Sequence, residues 1–122
     1  MIEGNVEDLQ ACVQVLVRSP YKNDLTIEFI VDTGFEGALT LPPDTVEALG
    51  LPFFEPMDAN LANDSTVIID AHVGIIDWDG SELDVLVLAT GSRPLLGTSL
   101  LSGMRMCADF NDGGLVRIES LS

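Results

Sequence analysis

The stretch Leu25-Thr26-Ile27-Glu28-Phe29-Ile30-Val31-Asp32-Thr33-Gly34 decides how the rest of the chain is read. Leu25, Ile27, Phe29 and Val31 fall on one side of a period-two pattern, with Thr26, Glu28 and Ile30 on the other. That alternation marks a strand with one face in a core. The strand runs directly into an aspartate and then into a loop containing Gly34 and Gly37. Glycines there allow tight or positive-φ backbone and leave the rim around a carboxylate uncluttered. Asp-Thr-Gly by itself is also a common turn, so the surrounding chain must carry any functional reading.

Outward from this stretch the pattern stays mostly period two. Val13, Val15 and Val17 alternate with Cys12, Gln14 and Leu16, and residues 20–24 supply turn chemistry, so a hairpin leads into Asp32. Residues 38–41 form a short apolar strand stopped by Pro42 and Pro43. Residues 44–49 read as a brief helix with Gly50 as its stop. Residues 51–58, with two prolines, are expected to be irregular, with Phe53 or Phe54 docking inward. Asn63-Asp64 makes the turn of a polar loop tip at 61–65.

Beyond the tip, Val67, Ile69, Ala71, Val73 and Ile75 alternate with Ile68, Asp70, His72 and Gly74. Asp77-Trp78-Asp79-Gly80 is a turn signal, and Leu83, Val85 and Val87 then oppose Asp84, Leu86 and Leu88. Residues 98–104 are a second helical candidate, capped by Thr98 or Ser99. Residues 106–110 and 115–118 make a closing hairpin around Asn111-Asp112-Gly113-Gly114. Both faces of several strands are apolar, so the sheet must fold over on itself or meet a partner. The expectation is one all-β domain over residues 1–122, a small closed barrel with one or two short helices.

Composition narrows the function. Twenty acidic and five basic residues give a net charge of −15, which repels nucleic acid and anionic lipid surfaces alike. No apolar run is long enough to span a bilayer, and the first residues do not read as a signal peptide. Cys12 and Cys107 are expected as buried free thiols, which suits a reducing, cytoplasmic setting. Two distant cysteines and one histidine, His72, offer no metal spacing, so neither a metal nor a cofactor is expected. Asp70 and Asp84 read as solvated, Asp109 as structural or exposed, and Trp78 as a packing lid.

The order of features then carries a resemblance: strand, Asp32-Thr33-Gly34, Phe35, Gly37, Leu39-Thr40-Leu41-Pro42, Leu49-Gly50-Leu51-Pro52, the 61–65 tip, and Pro94-Leu95-Leu96-Gly97 with Leu100-Leu101. This resembles the retroviral-type (retropepsin-like) aspartic proteases, in particular their small bacterial and archaeal branch, over about residues 11–118. The resemblance implies that Asp32 is catalytic, that Thr33 braces paired loops across a homodimer, and that Gly34 is the turn glycine. It implies that Leu95-Leu96-Gly97 supports the active loop and that 61–65 is the tip of a flap over an extended peptide. It also implies that 106–110 and 115–118 contribute to an intersubunit sheet.

Two departures stand out. The tip carries Asn63-Asp64 where many relatives have a glycine-rich turn, and Phe35 stands where viral and pepsin-like enzymes have a small residue. One Asp-Thr-Gly aspartate per chain requires a second copy, and the two Asp32 carboxylates would share a proton and activate water. Leu39, Phe54, Ile75 and Leu95 are candidate pocket residues for peptides that are apolar near the cut and carry little negative charge. The alternative is a catalytically silent dimerisation or peptide-binding module with the same fold.

Overall fold

The computed structural model describes residues 1–60 and 63–122 of the chain. Its ten strands are β1 (Ile2–Glu7), β2 (Gln10–Arg18), β3 (Leu25–Val31), β4 (Leu39–Leu41), β5 (Phe53–Asn60), β6 (Thr66–Trp78), β7 (Ser81–Ala89), β8 (Leu95–Leu96), β9 (Met104–Ala108) and β10 (Leu115–Ser120). One helix, α1 (Pro43–Leu49), and a single 3-10 turn, Thr98–Leu101, complete the described elements. The fold is all-β, as the alternation requires.

The strands follow the order β5-β6-β7-β4-β8-β3-β2-β1-β10-β9, with a further pairing between β6 and β2. That pairing closes β6, β7, β4, β8, β3 and β2 into a ring. Strand length makes the closure possible. The first half of β2 pairs with β1, and its end, Val17 and Arg18, pairs with Ile76 and Ile75 of β6. The thirteen-residue β6 likewise serves β5 over its first part and β2 near its end.

Val13, Val15 and Val17 of β2 and Phe29 of β3 are buried, together with Leu39, Leu41, Ile76, Val87 and Leu96. Burying a side chain of this kind contributes about 1.5–3 kcal/mol, so this cluster dominates the stabilisation of the ring. On β6 the inward face changes along the strand. Ala71 is buried on the expected face, but from there Gly74, Ile76 and Trp78 take over. A strand that pairs with three neighbours passes from one packing environment to another, and no single alternation describes it.

Several expectations need correction. Residues 53–60 are a strand, not irregular chain: β5 lies at the sheet edge, the position where a strand tolerates a proline such as Pro56. Phe53 and Phe54 do not dock inward; they are 57% and 53% exposed. The second helical candidate shrinks to the 3-10 turn, entered from Gly97 without a side-chain cap, and Met104 already begins β9. Trp78 lies in β6, and the turn itself is Asp79-Gly80, both at positive φ. β1 was not expected at all. It is joined to β2 by Asp8-Leu9, two non-glycine residues at φ 50 and 61, a hairpin turn without the usual glycine signature. Cys12 is buried as expected, whereas Cys107 is exposed.

The helix matches its expected span closely. Pro43 occupies the first turn, where a missing N–H costs nothing, and Gly50 closes the helix at φ 65. Val46 and Leu49 turn its apolar side into the core. No helix among the described residues is long and apolar enough to cross a membrane.

Candidate active site

Asp32 follows the last residue of β3 and is half-buried, while Thr33 and Gly34 beside it are exposed. Its backbone is held from two directions. The Asp32 N–H donates to the Leu96 carbonyl at 2.9 Å, and its own carbonyl accepts from the Phe35 N–H at 3.1 Å. The carboxylate is oriented within the loop, since Oδ1 accepts the Gly34 N–H at 2.9 Å. A Cβ at position 34 would lie 3.2 Å from that same oxygen, so glycine keeps the approach open. Gly34 and Gly37 are not at positive φ. Their role is close approach, which corrects the conformational reading of the sequence.

The segment Leu95-Leu96-Gly97 lies against this loop as the resemblance implied. β8 runs parallel to β3, with Ile30 opposite Leu95 and Val31 opposite Leu96, and antiparallel to β4 on its other edge. Past β8, Gly97 N–H donates to Ala38 O at 2.8 Å and Thr98 N–H to Phe35 O at 2.8 Å. Thr40, buried between strands, accepts the Leu95 N–H on its hydroxyl at 3.2 Å. Asp32, Phe35, Gly37 and Ala38 of this loop are therefore tied to one short segment far along the sequence.

Phe35 explains two glycines at once. Its ring carbons would come within 2.6 Å of a Cβ at Gly37 and, from its other edge, within 2.6 Å of one at Gly97. The ring covers both positions, so the large residue after Asp-Thr-Gly is accommodated by absent side chains around it.

Of the expected pocket residues, Leu39 is wholly buried and belongs to the core. Leu95 is half-buried beside the loop, whereas Phe54 and Ile75 are exposed on other strands. Residues 61 and 62 of the expected flap tip lie outside the described residues. On the described side of the tip, Asn63 Oδ1 accepts the Ser65 N–H at 3.1 Å and Asp64 stands at φ 64, an asparagine-led turn in place of a glycine-rich one. The β5–β6 hairpin beneath it carries Met57, Ala59, Val67 and Ile69 on one half-buried face.

Some side-chain contacts around β2 and β3 had no sequence signal. Gln10 opens β2, and Arg93 Nη1 donates to its Oε1 at 3.0 Å. Glu7, Cys12 and Glu28 bring potential ligand atoms within 4.8 Å of one another. The Cys12 thiol is pushed up by burial first and then by Glu28 and Glu7, with Arg93 opposing. These groups sit on three different strands, and only strand pairing assembles them.

With the geometry in place, comparison with solved structures is informative. The EIAV protease complexed with the inhibitor HBY-793 superposes with a TM-score of 0.61 at 17% identity, over 78% of this chain and 88% of that one. A retropepsin-like aspartic protease from Rickettsia conorii superposes with a TM-score of 0.61 at 19% identity, covering 99% of this chain and 92% of that one. No family model and no curated protein matches the sequence. At such identities the likeness is one of fold, and the chain has the retropepsin-like fold.

Proposed function

We propose that this chain is half of an aspartic endopeptidase, and that two copies pair to bring their Asp32 carboxylates face to face. The supporting observation is the Asp32 loop itself: a half-buried carboxylate with Oδ1 held by Gly34, on a loop bonded at Asp32, Phe35 and Ala38 to residues 96–98, with Thr33 exposed beside it. Two carboxylates at close range do not both ionise, so the pair holds one proton. The ionised member takes a proton from a water held between them, and the water oxygen attacks the peptide carbonyl carbon. The protonated member donates to the carbonyl oxygen, giving a tetrahedral diol. A proton then passes to the leaving nitrogen as the C–N bond breaks, and the pair again holds one proton. The titration belongs to the pair and not to either residue.

Contact between copies draws on β9, whose outer edge is unpaired among the described residues, and on the Thr33 loop. β10 is hydrogen-bonded on both sides, to β1 and β9, so it supports the interface without offering an edge. The apolar face of the β5–β6 hairpin suits an extended peptide with apolar side chains near the cut.

The test is cleavage of a diverse peptide library between about pH 4 and 7 by the parent and by Asp32→Asn. Asparagine keeps an Oδ1 acceptor for Gly34, so the loop survives while the acid is lost. Cleavage by the parent alone, with a rate that falls as the square of protein concentration on dilution, is the expected result. Equal cleavage by both proteins, or by neither, overturns the proposal.

A further inference from the structure

We propose that Arg93, held by Gln10 at the end of the β2–β3 pair that leads into Asp32, is a specificity-determining residue that favours peptides bearing a carboxylate side chain near the cleaved bond. The inference rests on the protease reading above and qualifies the sequence expectation that peptides with little negative charge are favoured.

Strand register supplies the placement. The β2–β3 ladder ends with Cys12 opposite Ile30, so Gln10 and Asp32 each lie two residues beyond the same end of that antiparallel pair. Adjacent strands are about 4.8 Å apart, within the reach of a side chain. Arg93 is fixed at both ends. Pro94, its neighbour, accepts the Ile30 N–H on its carbonyl at 3.0 Å, and the guanidinium donates through Nη1 to Gln10 Oε1 at 3.0 Å.

Charge supplies the selectivity. Of the five cationic side chains, Arg18 is enclosed by Asp24, Asp77 and Glu82. Lys22 lies in the turn between β2 and β3, and Arg105 and Arg117 belong to β9 and β10. Arg93 is exposed and joins none of the ion pairs formed among the described residues. Glu7 and Glu28 are near enough for all three groups to act on Cys12, yet neither closes on the guanidinium. Among the described residues its guanidinium makes one hydrogen bond, to Gln10, and the rest of the planar fork fits a carboxylate. On a surface of net charge −15, a peptide carboxylate is repelled almost everywhere else.

The measurement uses short peptides with apolar residues on both sides of a central bond and Glu, Gln or Lys at each flanking position in turn. Affinities are read on full-length Asp32→Asn protein, which needs no turnover, and cleavage rates on the parent. At one flanking position Glu should be preferred over Gln about two- to fivefold, the range of an exposed ion pair. Arg93→Glu should shift the preference to Lys, and Arg93→Lys should keep part of the preference for Glu. The Glu-over-Gln ratio should also decline as pH falls through about 4.3, where the peptide carboxylate protonates and arginine does not. A merely structural arginine would not produce that decline.

If Arg93→Glu fails to fold, the pH dependence of the ratio in the otherwise unaltered protein decides. Cleavage with no Glu preference at any position overturns the role of Arg93 and leaves the protease reading intact. A Glu preference in binding that is abolished by Arg93→Glu, without cleavage by the parent, supports Arg93 and overturns the protease reading. Absence of binding to every peptide overturns both.

Discussion

The Asp32 backbone N–H donates to the carbonyl of Leu96 at 2.9 Å, joining the acid loop to a segment far along the chain. Ile30 N–H to Pro94 O and Gly97 N–H to Ala38 O extend the same seam on either side. The carboxylate is thus positioned by backbone bonds between two strands, and its position is only as firm as that seam.

Gly97 is where the seam has least room. A Cβ there would overlap the Gly37 carbonyl oxygen and lie 2.6 Å from the Phe35 carbonyl oxygen, both backbone atoms that cannot rotate away. Gly97→Ala should destabilise the protein by about 1–3 kcal/mol, the usual cost of overpacking. Urea unfolding measures the loss. Unaltered stability would mean that the loop relaxes freely and that the seam does not hold it.

Acid should weaken a second region, remote from Asp32. Asp24 is held below the ordinary aspartate range first by the Ser19 N–H and then by Arg18, whose Nη1 lies 2.7 Å from it. A carboxylate with a depressed folded-state value stabilises above its unfolded value of about 3.9 and loses that contribution as pH falls through the lower folded value. Asp24→Asn should therefore flatten the fall in melting temperature over that acid window and leave the slope near neutrality alone. An identical acid slope in both proteins would remove Asp24 from the account.

The two thiols should differ in rate. Cys107 is exposed on β9, whereas Cys12 is buried and its thiol is pushed up by burial, then by Glu28 and Glu7. Since the thiolate is the reactive form, a disulfide reagent near neutral pH should show one fast and one slow equivalent. Cys107→Ser should remove the fast phase. Loss of the slow phase instead would place Cys12 at the surface.

Pairing of copies should tighten with salt. Each chain carries −15, so association brings two like charges together, and the repulsion is screened as the Debye length falls from about 10 Å at 0.1 M to about 3 Å at 1 M. Sedimentation at low and high sodium chloride should show a larger dimer fraction at high salt. A dimer that weakens with salt would point to an interface built on opposite charges.

Much of the fold was legible in single strands and turns. Alternation located β2, β3, β6 and β7, the Pro42-Pro43 and Gly50 punctuation located α1, and Asp79-Gly80 located a hairpin turn. Those signals are local, because a strand with one buried face and a turn with unusual φ each demand particular residues within a few positions. Edge strands gave the weakest signal. β5 looked irregular because Pro52 precedes it and Pro56, tolerated at the sheet edge, lies within it, and β1 was hidden by a turn in which Asp8 and Leu9 adopt positive φ without glycine.

The chain alone determined the alternating strands, the acidic surface, and the presence of one Asp32-Thr33-Gly34 loop with a Leu95-Leu96-Gly97 counterpart. Only the tertiary structure decided that β8 inserts between β3 and β4, that Phe35 roofs Gly37 and Gly97, and that Gln10 and Arg93 meet. Local pattern records which face of a strand is buried. It does not record which strands become neighbours, because pairing is settled by hydrogen bonds and packing between segments that the sequence keeps apart.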